Sequence, residues 1–180
     1  MDDNTVREKQ RTIWPEVIGL VITKDTEKLN VCPVNFQAVS TLYEKPLTVC
    51  IGLGNDSHSL KTILETQQFV YAYPSREQIK DTLYCGTVSG KNTDKLEQTS
   101  FKFEPSEAVN PPCLTDAVAN YECKLVHHHN VGTFTVIIGE IQQIHTYGKA
   151  HLDKIYSLGG SEEQHDYGVI ETTKSLQSGR

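Results

Sequence analysis

The segment GLGNDSHSLKTIL (residues 52–64) puts Asn55, Asp56, Ser57 and Ser59 at what reads as the start of a helix. The first N–H groups of a helix have no acceptor within it, and with small hydroxyls beside them they can hold a phosphate. Ser57 and Ser59 are the candidate contacts. The competing reading is an ordinary capped helix, with Asp56 or Ser57 as the cap. A helix end contributes only about 0.3–2 kcal/mol toward an anion, while micromolar binding needs about 8 kcal/mol. A ligand held here must therefore bring a large apolar surface that the protein covers elsewhere.

The segment LNVCPVNFQAVS (29–40) is a candidate for that cover. Pro33 is expected to break a strand and leave backbone amides free to read the polar edge of a flat ring. Phe36 could line the ring or could serve simple core packing. In VSGKNTDKL (88–96), Lys91 and Lys95 flank a glycine turn, as cations for a phosphate or as solvated surface. His127, His128 and His129 are consecutive, so on a strand they would point to alternate faces and could not share one metal. The string HHHNVG is expected to be a solvated hairpin loop, and no metal site is expected. Cys32, Cys50, Cys85, Cys113 and Cys123 are odd in number and include no C-x-x-C pair, which implies reduced thiols, with Cys85 and Cys123 buried and inert. The chain contains no carboxylate pair, G-x-S-x-G elbow, dinucleotide glycine fingerprint or P-loop, so no side chain is assigned as catalytic.

These residues need elements to position them. Val17–Thr23, Leu29–Cys32, Leu47–Leu53 and Phe69–Tyr73 are rich in β-branched and apolar residues and are bounded by turn residues, which implies strands. Ala119–Val126 and the run Thr133–Tyr147 read as a large hairpin. Leu60, Ile63 and Leu64 share one face of a helix over Ser59–Gln67. Further helices are expected over Glu77–Leu83 and, briefly, Asp94–Gln98. No strand–helix unit repeats, which favours an antiparallel β-barrel with peripheral helices over a parallel sheet. At 180 residues the chain suits one domain, and its last residues, 172–180, read as a polar tail. A net charge of −6 argues against nucleic acid, which favours a basic footprint. The absence of a long apolar run or a leader pattern implies a cytoplasmic protein with no membrane association.

In order and spacing, WPEVIGLVITKD, LNVCPVNF, SHSLKTI, FVYAYP, VSGKNTDKL, NPPCL, ANYECKL and TFTVIIGEI resemble the flavin reductase-like domain, an FMN-binding antiparallel split barrel of Greek-key type, and its flavoredoxin-like branch in particular. The match spans about residues 14–160. The resemblance implies an FMN-dependent oxidoreductase working as a homodimer, with a reduced nicotinamide (NADH or NADPH) or a protein as electron donor. It also implies a redox protein or a monooxygenase component as possible acceptor. On the matching positions, Asn30, Cys32, Pro33, Val34, Asn35 and Phe36 would lie along the flavin ring, with Ser40, Ile51 and Gly52 on neighbouring strands. Ser57, Ser59 and Lys95 would hold the phosphate. The chain departs from the pattern where relatives carry Gly-Asp-His, having Gly132, Thr133 and Phe134 instead, and its C-terminal aromatic is delayed to Tyr167. The alternatives are a non-enzymatic flavin carrier and a split barrel that binds another flat ligand such as heme.

Overall fold

The computed structural model describes residues 13–26, 28–40, 45–91, 93–160 and 165–169. The polar segment 172–180 lies outside the described residues. Strands β1 (Glu16–Val17), β2 (Gly19–Lys24), β3 (Leu29–Val34), β4 (Gln37–Val39) and β5 (Thr48–Gly54) precede helix α1 (His58–Thr66). Then follow β6 (Gln68–Tyr73), α2 (Ile79–Thr87), β7 (Phe103–Glu104), β8 (Cys113–Leu114), β9 (Ala119–Val131), β10 (Phe134–Thr146), β11 (Ile155–Gly160) and β12 (His165–Val169). Seven strands form one antiparallel sheet in the order β3-β2-β6-β9-β10-β5-β4, beside a three-stranded β1-β11-β12 sheet and a β7-β8 pair. After β5 the chain passes through α1 to β6, at the other side of the large sheet. Helix α1 packs on β2, β3 and β5, so it bridges strands that stand far apart in the sheet order and the sheet curls into a split barrel.

Side chains alternate across a strand, and the register therefore sorts two cores. Val21, Val34, Ile51, Leu53, Phe69, Tyr71, Cys123 and Ile137 meet Leu60 and Ile63 of α1 inside the curl. Leu20, Ile22, Val31, Val70 and Ala72 point the other way and pack on Cys85, Cys113 and Leu114. Strands β2 and β6 are thus covered on both faces, which is why their sequences read as nearly unbroken apolar runs. Strand β5 and the first half of β10 bury every second residue.

Four local expectations are corrected. Pro33 does not break its strand: β3 continues to Val34, with Pro33 opposite Leu20. This is possible because β3 is an edge strand, where a missing N–H costs no ladder bond. His127, His128 and His129 are not in a loop, because β9 runs on to Val131 and the turn is only Gly132–Thr133. They are exposed because β9, past its last pairing with β6 at Lys124, has a neighbour strand on one side only. The second helix, expected over Glu77–Leu83, opens as a 3-10 turn at Arg76–Gln78 and runs on as α2 to Thr87. The segment expected as a short helix near 94–98 is a 3-10 turn, Lys95–Gln98, capped by Asp94.

Candidate functional site

The open edge of β3 organises the site. Its outward-facing Val31 carbonyl accepts from Lys95 Nζ at 3.2 Å, and the same ammonium donates to the Cys85 carbonyl at 2.6 Å. Lys95 is only 5% exposed, so a positive charge is held inside the fold by carbonyls of β3 and α2 with a third proton left over. By strand alternation the Pro33 nitrogen faces the same edge as the Val31 carbonyl.

Beside this ammonium stands the start of α1. Ser57 is its cap, accepting from the Leu60 N–H at 3.1 Å, and the first turn carries no acidic residue. Ser59 is buried in that turn, and its Oγ accepts from Asn30 Nδ2 at 2.9 Å. With Asn30 on the acceptor side of the oxygen, the Ser59 proton is left to donate elsewhere. Asn30 Oδ1 is itself buried and has no hydrogen-bond partner.

Asn30, Cys32, Pro33, Ser57, Ser59 and Lys95 line one cleft of ≈ 170 Å³ together with His58, Cys85, Ser89 and Gly90. The cleft is therefore basic and rich in donors, in a chain of net negative charge. A second hollow of ≈ 210 Å³ shares Pro33 and Gly86 with it and adds Val34, Asn35, Leu83 and Tyr167. The two form one continuous trough along the β3 edge.

The thiols here are neutral. Burial pushes the Cys32 thiol up, opposed by the Lys95 ammonium and the Ser59 hydroxyl, and the net shift is upward. Burial pushes Cys85 up to about 11, again against Lys95.

Five sequence candidates, Ile51, Phe36, Gly52, Ser40 and Lys91, fall outside the trough linings. Ile51 is fully buried in the core, so its side chain cannot reach a ligand. Phe36 is 49% exposed and sets its ring edge-on to Phe134, while its carbonyl accepts from the Gly52 N–H at 3.0 Å. Ser40 Oγ accepts from the Thr48 N–H and serves the β4–β5 connection. Lys91 is exposed. Conversely His58, Leu83 and Gly86 line the trough without having been singled out. For His58 the signal was its place between the two serines.

A separate cluster also escaped the sequence. The fully buried Glu122 carboxylate accepts from the N–H groups of Glu107, Ala108 and Val109, and His145 Nε2 lies 2.6 Å from its Oε1. The Cys113 thiol completes the group. Burial alone would raise the Glu122 carboxyl, but the amides and His145 outweigh it, so it lies below the usual carboxylate range. With its oxygens occupied by these donors, the cluster is a clamp that ties the 105–110 segment to the sheet.

An uncharacterized protein of Archaeoglobus fulgidus is 34% identical over 133 residues, spanning 74% of this chain and 73% of that protein. Among solved structures, a 2-nitrobenzoate 2-nitroreductase of Pseudomonas fluorescens superposes with a TM-score of 0.82 at 21% identity, covering 99% of this chain and 92% of that one. A flavoredoxin of Methanosarcina acetivorans superposes with a TM-score of 0.77 at 21% identity, covering 91% and 89%. These establish the fold. The flavin reductase-like domain model matches residues 12–159, and with a match over that much of its length the chain belongs to the flavin reductase-like domain family.

Proposed function

We propose that the trough holds FMN, with its phosphate among Ser57, Ser59 and Lys95 and its ring along Pro33, Val34 and Asn35, and that the protein is an FMN-dependent oxidoreductase. The observation that carries this reading is the convergence of a buried ammonium, a helix start with no acidic residue in its first turn and a buried hydroxyl at one end of a trough whose other end sets Ile18, Pro33, Val34, Leu83 and Tyr167 beside the polar Asn35 and Ser157. Bound FMN supplies the redox chemistry, accepting a hydride or electrons from a reduced nicotinamide or a protein and passing them on. The chain's own residues bind and orient. Lys95 would offset phosphate charge and Ser59 would donate to a phosphate oxygen, β3 supplies a strand edge with no neighbouring strand, and the neutral Cys32 thiol adds no competing negative charge. The redox names of the flavoredoxin and nitroreductase structures support this reading.

The trough is open on one side, and a flat ligand gains burial if a second subunit covers it. A homodimer is proposed on that ground. The outer face of β4, β5 and β10 carries Ala38, Cys50 and Ile138 in one row and exposed Phe36 and Val131 close by, an apolar surface suited to a second copy.

The first test is the absorption spectrum of the purified protein, followed by titration with FMN and anaerobic addition of NADH or NADPH. A flavin spectrum bleached by either nucleotide is the expected result. No binding of added FMN at micromolar concentration would overturn the proposal, and binding without bleaching would leave a protein donor or a carrier role.

A further inference from the structure

Strands β8, β9 and β10 bring together a thiol, a carboxylate and an imidazole that the flavin reading does not use. Glu122 on β9 stands opposite Gln143 on β10, so His145, two residues on, shares its face of the sheet. From β8 the buried Cys113 Sγ comes within 3.9 Å of Glu122 Oε1. Cys113 Sγ, His145 Nε2 and a carboxylate oxygen of Glu122 all lie within 4.8 Å of one another. Holding the 105–110 segment requires only the carboxylate and the three amides that donate to it. The imidazole and the thiol exceed that need. They add a nitrogen and a sulfur to the oxygen, which makes the mixed donor set that zinc takes. Metal ligands are held in place by outer partners, and such partners are present: the amides fix the carboxylate, and the Ser106 hydroxyl lies 3.4 Å from the Cys113 sulfur. The field also suits a cation. Burial pushes the Cys113 thiol up to about 11, eased by Ser106, and the carboxylates of Glu122, Glu104 and Glu107 push it the same way.

We infer that Cys113 Sγ, Glu122 Oε1 and His145 Nε2 form a binding site for zinc or a similar divalent transition-metal ion, with solvent as fourth ligand on the side where the His145 ring is 21% exposed. The site shares no residue with the trough linings and does not depend on a flavin. Binding exchanges a proton for the ion: the thiol proton leaves to solvent as the sulfur–metal bond forms, and the neutral imidazole binds through Nε2. The ion takes the side of Oε1 that now faces His145, while the Glu107 N–H keeps its own bond. His145 Nε2 and Glu122 Oε1, now 2.6 Å apart, must part to roughly 3.3 Å, the spacing that two bonds of about 2 Å impose at a tetrahedral centre. The partly exposed ring, one residue from the end of β10, is placed to make that small move. Without the ion the cluster remains the clamp already described, and with it β8, β9 and β10 are tied through one centre.

The test is titration of the purified full chain, first stripped with a chelator, with Co2+ and then Zn2+. Cobalt is expected to give tetrahedral bands at longer wavelength than any flavin absorption, together with a near-ultraviolet sulfur-to-cobalt band, and Zn2+ to abolish both and raise the melting temperature. Cys113→Ser and His145→Gln, the second of which can still donate to Glu122, are each expected to weaken zinc by more than the roughly 10–100-fold that loss of an outer partner costs. Cys113→Ser should also remove the sulfur band. The exposed His127, His128 and His129 are a rival source of binding, and changing all three to Asn should leave affinity and spectrum unaltered. Absence of the cobalt bands, or bands without a sulfur contribution, in the unaltered chain would overturn the inference, and these readings need no variant to fold. A sulfur band that persists in folded Cys113→Ser, or binding lost with the three exposed histidines, would overturn it as well.

Discussion

Ser59 shows how a neighbour can set the role of a hydroxyl. The Asn30 amide takes one side of its oxygen, so the proton must point to something else. Ser59→Ala is expected to weaken FMN by about ten- to a hundredfold, in line with ~1.5–3 kcal/mol for a hydrogen bond to a charged group. Riboflavin, which lacks the phosphate, should bind the variant and the unaltered protein equally. An equal loss for both ligands in parallel titrations would move the phosphate away from Ser59. The Cys32 thiol is raised by burial and restrained by Lys95, and this too has a measurable consequence. Lys95→Met removes the restraint, so the pH at which Cys32 becomes reactive should rise further. Alkylation rates against pH, measured in a Cys50→Ser background because Cys50 is also partly exposed, would show it. An unmoved profile would mean that the ammonium does not act on the thiol.

Among the elements, the segment after β7 depends on one carboxylate for its position. Glu122 on β9 satisfies three consecutive backbone N–H groups, and Glu122→Ala would leave all of them without a partner, at a cost of about 3 kcal/mol or more. Because the folded carboxyl lies below its usual 4.5, ionised Glu122 contributes stability above that pH and loses it as the pH falls through the folded value. The melting temperatures of the protein and of Glu122→Gln should therefore stay apart from pH 7 down to about 4.5 and converge only as the pH falls below it. A constant gap would show that the charge is not what the clamp uses. Nothing in the sequence disclosed this clamp, since its partners are main-chain groups 13–15 residues away and main-chain groups carry no residue identity. What burial dictates was legible: the unbroken apolar runs of β2 and β6, the alternation of β5 and β10, and the α1 face of Leu60 and Ile63. That Ser57, Ser59 and Lys95 would come together in one cleft was also legible, because they lie in short segments of distinctive composition. The reading failed where local rules met an edge. Pro33 is harmless when its nitrogen faces outward, and three histidines suit a stretch of strand with a neighbour on one side only.

At the scale of the whole molecule, the proposed second copy makes a simple prediction. Light scattering should report twice the 20.2 kDa chain mass, and Phe36→Asp, on the exposed apolar face, should shift the protein toward monomer and weaken FMN together. A monomer that binds FMN tightly would separate the site from the assembly. The long β9–β10 ribbon bears on how such a molecule first takes shape. Its pairing runs from Val131 with Phe134 to Ala119 with Thr146, across a turn of two residues, whereas β10 must find β5 some eighty residues earlier in the chain. Short-range pairing costs little loop entropy, and hairpins close in about 1–10 μs. The ribbon is thus the natural template on which β5 and β6 later add, and its turn should be organised in the rate-limiting step. Gly132 occupies a left-handed conformation at φ 62°, where a side chain is strained by about 1 kcal/mol. Gly132→Ala should accordingly slow refolding of the apoprotein while hardly altering its unfolding rate. Stopped-flow kinetics showing the reverse partition would place the ribbon late, as an arm zipped up only after the barrel has closed.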